Sequence, residues 1–191
     1  MKGAEHIRIE MPSWLQAFRE RLPERLVTPE ERMNVAISLS LQNVREGTGG
    51  PFGALVVARR SGRVIALGVN RVEPAHCSSA HAEIVALSLA QQSLGSWNLS
   101  DGDDGELELV SSCEPCAMCL GAIPWSGVAS VLCGASKADA EAAGFDEGDR
   151  PEAWTDKLRA RGIEVTTELL RPNAAAVLES YARLGKTIYS P

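Results

Sequence analysis

The sequence predicts an α/β domain with a mixed sheet covered by helices on both faces. Three observations predict it. Two short apolar segments flank Ser61-Gly62 and read as a hairpin. Later strand-like segments alternate with helix-like ones, which implies parallel neighbours added to that hairpin. A chain of 191 residues with 45% hydrophobic content can bury one substantial core, so one domain is expected.

The elements follow in order. Ile7-Arg8-Ile9-Glu10 alternates like a short strand, and Trp14, Leu15, Phe18 and Leu22 recur at helical spacing until Pro23. Residues 1–25 read as an N-terminal extension to a domain covering 26–191. Thr28-Pro29-Glu30-Glu31 predicts a helix start, with Thr as N-cap, Pro in the first helical position and Glu three after the cap. Met33, Ile37, Leu41 and Val44 form its apolar stripe and Gly47 ends it. Phe52 to Ala58 predicts a buried strand, and Arg63 to Val69 its hairpin partner. Asn70 at the outgoing end fits turn chemistry.

Ser78 or Ser79 is expected to cap a helix carrying His81, Glu83, Ile84, Leu87 and Leu89. Asp101 to Gly105 reads as a solvated acidic loop, since the register of oxygen ligands for calcium is missing. Glu106 to Ser111 predicts the third strand. Pro115 suits the first turn of the next helix, which would set Cys116 and Cys119 one turn apart on one face. Val128 to Cys133 predicts a fourth strand, followed by an alanine-rich helix ending at Gly144. Ile163 to Leu170 predicts a fifth strand, and Ala174 to Leu184 a last helix.

Composition narrows the function. Net charge is -6, and acidic residues crowd 101–108 and 139–156, so no basic groove for long nucleic acid is expected. No signal peptide and no membrane-spanning apolar run is visible, and five cysteines, an odd number, are expected to stay reduced. These features point to the cytoplasm.

The chemistry concentrates between His81 and Cys119. His81, Cys116 and Cys119 offer one imidazole and two thiolates, a donor set that suits one zinc per chain and leaves a fourth position for water. Glu83, two residues after His81, can reach that water as a proton shuttle without binding the metal. A redox pair or half of a structural zinc site would also account for a lone Cys-x-x-Cys. The missing second pair and the presence of His81-x-Glu83 favour the catalytic site. Cys77, Cys113 and Cys133 are surplus to the coordination set.

His81-Ala82-Glu83 followed by Pro115-Cys116-Ala117-Met118-Cys119 resembles the signature of the cytidine deaminase superfamily of zinc-dependent nucleobase deaminases. Pro51-Phe52-Gly53-Ala54, the run Ser112 to Ile123, and Ala142-Ala143-Gly144-Phe145-Asp146-Glu147 are most similar to the bacterial guanine deaminases within it. The resemblance runs from about Pro29 to the C-terminus. It implies a three-layer α/β/α fold with about five strands and a hydrolytic deamination of a small nucleobase. It also implies that Asn70 binds the base and that Glu147, two after Gly-Phe, recognises a purine, where the relatives carry Asp. Phe52 and Trp125 are candidates for stacking the base, with a plain core role open to each. A homodimer with exchanged C-terminal segments is implied too, in which Tyr189 covers the site. Guanine is the expected substrate and the amino-triazine ammeline a further one. Cytosine, nucleoside or tRNA adenosine deamination is the alternative. Nothing in the resemblance explains residues 1–25.

Overall fold

In the computed structural model, residues 6–101 and 105–188 are described. The elements in order are α1 (Trp14–Glu20), α2 (Pro29–Arg45), β1 (Gly53–Ala58), β2 (Val64–Val69), α3 (Val72–Ala75) and α4 (Ala82–Leu94). They continue with β3 (Leu107–Cys113), α5 (Ala117–Ser126), β4 (Ser130–Ala135), α6 (Lys137–Ala142), α7 (Trp154–Arg159), β5 (Glu164–Thr166) and α8 (Arg171–Arg183). The strands form one mixed sheet in the order β2-β1-β3-β4-β5. β1 pairs antiparallel with both β2 and β3, while β3, β4 and β5 run parallel.

Alternation along β1 builds the three layers. Ala54, Val56 and Ala58 pack on one face with Ala82, Ala86 and Ala90 of α4, and with Ile123 and Trp154. Leu55 and Val57 face the other way, against Leu15, Met33, Ala36 and Leu39 from α1 and α2. Two glycines set the distances. A Cβ on Gly68 would lie 2.4 Å from the Ala82 carbonyl oxygen, and one on Gly53 would lie 2.5 Å from that of Ala36. Helices α4 and α2 therefore press directly on the sheet backbone, and α4 carries the start of the metal cluster.

Most elements match the expectation, and the departures have local causes. Thr28 makes the full capping box with Glu31, as the sequence predicts. On α2, Met33 and Val44 are buried, while Ile37 and Leu41 are half-buried beside Val177 and Tyr181 of α8. The most buried face runs instead through Ala36, Leu39, Ser40 and Asn43. Ile7 to Glu10 is not a strand, because it pairs with no sheet edge. β5 is only three residues long, cut short where Glu168 and Leu170 take left-handed φ values of 62° and 53°. The short helices α3 and α7 were not expected. The N-terminal helix α1 is part of the core rather than an appendage, since Leu15 is buried in the α2 cluster. Among the described residues, no helix is long and apolar enough to cross a membrane. All five cysteines are free.

Candidate active site

Two helix N-termini converge on the site. His81 is the N-cap of α4, with extended φ and ψ of -68° and 155°, and Cys116 is the N-cap of α5. Both differ from the sequence expectation. Neither Ser78 nor Ser79 caps α4, and Pro115 precedes α5 instead of opening it. A cap position directs a side chain outward across the end of its helix, where unpaired N–H groups favour negative charge. Thiolates gain from that placement.

The three donors lie within 4.8 Å of one another, and Cys116 Sγ is 3.5 Å from His81 Nδ1. Zinc–nitrogen and zinc–sulfur bonds at a tetrahedral angle would separate those two atoms by about 3.6 Å. The His81–Cys116 pair therefore has the spacing that zinc bound through Nδ1 requires, and Cys119 lies close enough to complete the donor set. Hydrogen bonding from the Cys119 thiol, opposed by burial and reinforced by His81, lowers the Cys116 thiol pKa to about 4. Cys119 is pushed the other way, because Cys116 is the sulfur that holds the charge. Burial pulls His81 down, but Cys116, Glu83 and Glu147 outweigh it, and the net shift is upward.

A cavity of about 340 Å³ opens beside this cluster, lined among others by Phe52, Asn70, Glu83, Phe145 and Glu147. Its size suits one small ring system better than a polymer. Glu83 is 5% exposed and accepts a hydrogen bond from Ser111 Oγ at 3.2 Å. Burial raises its pKa, and the Cys116 charge adds to the rise. Glu147 is also 5% exposed, and burial together with Cys116 and Glu83 pushes it up to about 8. Zinc brings two positive charges that act against both shifts.

Asn70, at the end of β2, is buried and lines the cavity. Its Oδ1 accepts from the backbone N–H groups of Gly50 at 3.4 Å and Val72 at 3.3 Å, which leaves its amide N–H groups as the donors for a ligand. Phe52 lines the cavity and meets Phe145 edge-on at 4.9 Å. Trp125 does not line this cavity. It is 81% exposed and nine residues beyond Cys116 on α5, which carries it about 13 Å along the helix axis. Tyr189 lies outside the described residues.

Sequence reasoning missed four participants. Phe145, in the Gly-Phe-Asp-Glu segment, lines the cavity beside the acid for which that segment stands out. Glu114, between the Cys113 and Cys116 positions, lines the cavity and receives Arg150 Nη2 at 2.7 Å. Arg150 also donates to the Pro115 carbonyl at 3.1 Å, and Ala117 N–H donates to the Glu147 carbonyl at 2.9 Å. These bonds lock the Glu147 loop onto the cysteine loop. A charged residue inside a ligand loop was the available signal for Glu114, whereas Ser111 and Arg150 had none.

The arrangement can bind zinc, hold a flat base between aromatic and polar groups, and move a proton through a buried carboxyl. Comparison with known proteins agrees. The chain is 43% identical over 112 residues to the guanine deaminase of Bacillus subtilis, covering 59% of this chain and 67% of that one. It superimposes on the solved guanine deaminase of Nitrosomonas europaea with a TM-score of 0.89 at 48% identity, covering 96% of this chain and all of that one. A tRNA-specific adenosine deaminase of Streptococcus pyogenes is 29% identical over 136 residues, 71% of this chain and 73% of that one. The cytidine and deoxycytidylate deaminase zinc-binding region matches residues 27–135. With its His81, Cys116 and Cys119 donors clustered and a buried glutamate beside them, this chain belongs to that family of zinc-binding hydrolytic deaminases.

Proposed function

We propose that this protein deaminates guanine to xanthine and ammonia. The observation that carries the reading is the buried Glu147 carboxyl, which shares a small cavity with His81 and Cys116 of the donor set and with Glu83. Guanine presents N1–H and an exocyclic amine on one edge, two donors that a single carboxylate can accept. The Asn70 amide supplies donors for an acceptor on another edge. Cytosine lacks the paired donors, and adenine has an acceptor where guanine has N1–H. Greater identity to guanine deaminases than to the tRNA-specific enzyme supports the same choice.

Zinc, when bound by the three donors, lowers the pKa of water towards neutrality and supplies a Lewis acid. Glu83 takes the proton released when water adds to C2 and returns protons to the base and to the departing amine. Ser111, by donating to Oε1, fixes the carboxyl rotamer for that task. Glu147, beside the amine that leaves, recognises the base and can carry a proton at the same time. Phe52 and Phe145 narrow the cavity and exclude water from a flat ring.

The proposal extends to assembly. Tyr181 Oη donates to the Thr187 carbonyl at 2.6 Å, and Ile188 packs beside Val44 and Tyr181, next to Phe145. The described part of the tail thus runs towards an aromatic of the cavity, and a homodimer in which exchanged C-terminal segments bring Tyr189 over a bound base belongs to this proposal. Free cysteines suit a reducing compartment such as the cytoplasm.

Ammonia release from guanine, ammeline, adenine, cytosine and cytidine tests the reading. Guanine should show the highest kcat/KM, with ammeline, whose ring edge is similar, behind it. Preference for cytosine, cytidine or adenine would overturn the assignment.

A further inference from the structure

The chemistry above leaves the N-terminal segment without a task, yet its described part is linked to the substrate cavity. Trp14 on α1 donates from its indole Nε1 to Thr48 Oγ1 at 2.9 Å. Thr48 donates to Asn43 Oδ1 at 2.7 Å. Asn43 Nδ2 donates to the carbonyls of Asn70 at 3.0 Å and Gly50 at 2.9 Å. Each link has a fixed direction. Two carbonyls face the Asn43 amide nitrogen, so its oxygen must accept; Thr48 has one proton to give; and an indole can only donate.

A second tie runs alongside. Arg71, the neighbour of Asn70, donates from Nε to the Glu10 carbonyl at 2.9 Å and from Nη1 to the Thr48 carbonyl. The packing leaves little slack, because a Cβ on Gly49 would lie 2.0 Å from the Asn70 carbonyl oxygen and 2.8 Å from Asn43 Nδ2. Asn43 is completely buried, where hydrogen bonds in series reinforce one another.

We propose that the segment 6–25 is a positioning element for the substrate, with Trp14 acting through Thr48 and Asn43 on the backbone of Asn70. Holding the Asn70 carbonyl sets the direction from which its side-chain amide enters the cavity. The inference rests on the reading of Asn70 as a group that hydrogen-bonds the base. A purely structural role for α1 makes a different forecast, namely lower stability with unchanged substrate affinity.

Zinc-loaded, full-length protein carrying Trp14→Phe or Thr48→Val separates the two. The first variant keeps an aromatic six-membered ring at the position where Trp14 meets Phe18 edge-on at 5.9 Å, and loses the N–H with the rest of the five-membered ring. The second removes the hydroxyl at nearly constant volume. Each should raise KM for guanine about 3- to 10-fold, the worth of one hydrogen bond, with kcat and zinc content unchanged. Adding Trp14→Phe to Asn70→Ala should raise KM no further, because no amide is left to aim. Two outcomes overturn the proposal. If Asn70→Ala raises KM while Trp14→Phe and Thr48→Val leave it at the parent value, the relay does not position the substrate, although the reading of Asn70 stands. If Asn70→Ala itself leaves KM unchanged, that reading fails and the relay falls with it.

Discussion

Replacing Arg150 by Met should destabilise the protein by breaking a buried ion pair beside the site. The Arg150 and Glu114 side chains are 6% and 12% exposed and meet at 2.7 Å. Arg150 also holds the Pro115 carbonyl and lies over the Trp154 ring, 4.9 Å from its centroid. Methionine retains most of the packing but leaves the Glu114 carboxylate with only Lys137 N–H, at 3.0 Å, as a described partner. Removing one partner of a buried pair costs about 3–5 kcal/mol. The remaining N–H and the open cavity beside Glu114 put the loss at the lower end, ~3 kcal/mol, or about 6–12 °C in Tm for a chain of this size. Thermal unfolding of zinc-loaded protein measures it. Glu114→Gln added to Arg150→Met should recover part of the loss, since the orphaned charge is gone. A Tm within about 2 °C of the parent for Arg150→Met would show that the pair does not brace the two loops.

Glu83→Gln should keep zinc content and Tm but lose at least about 100-fold in kcat, because the amide has the shape of the acid without its basicity; near-normal turnover would remove Glu83 from the proton path. Asp139 supplies the pH prediction. Its hydrogen bond with Arg171, helped by Ser136 at the start of α6, lowers its pKa from 3.8 to about 2. A depressed folded pKa means that the contribution is complete above the unfolded value and disappears as pH falls from about 3.8 to about 2. Acid titrations of Asp139→Asn should therefore lack that component, and parallel curves for parent and variant would refute it. Tyr189→Ala should lower guanine turnover with unchanged zinc content if the tail covers the base; full activity would dismiss the lid.

The parts of this structure that were readable in the sequence are those written in local chemistry. Thr28 with Glu31, the alternating apolar residues of β1, and His81-x-Glu83 with Cys116-x-x-Cys119 each announce themselves within a few positions. Cap positions were less legible. The sequence offered serines to cap α4 and a proline to open α5, whereas His81 and Cys116 hold the cap positions. Long-range partners were not legible at all. Arg150 meets Glu114 only because the α6–α7 connection folds back over the cysteine loop, and Asn43 reaches Asn70 only through the packing of α2 against β2. Trp125 shows the converse, an aromatic near a ligand in sequence that the rise of the helix carries away from this cavity.

Titration of metal-stripped protein with zinc, while xanthine formation from guanine is followed, tests the central claim most directly. Turnover should be absent without metal and rise in proportion to added zinc, reaching its plateau at one equivalent per chain. His81→Ala should show no such rise. Undiminished xanthine formation by the stripped protein, or no xanthine at any zinc content, would contradict the account.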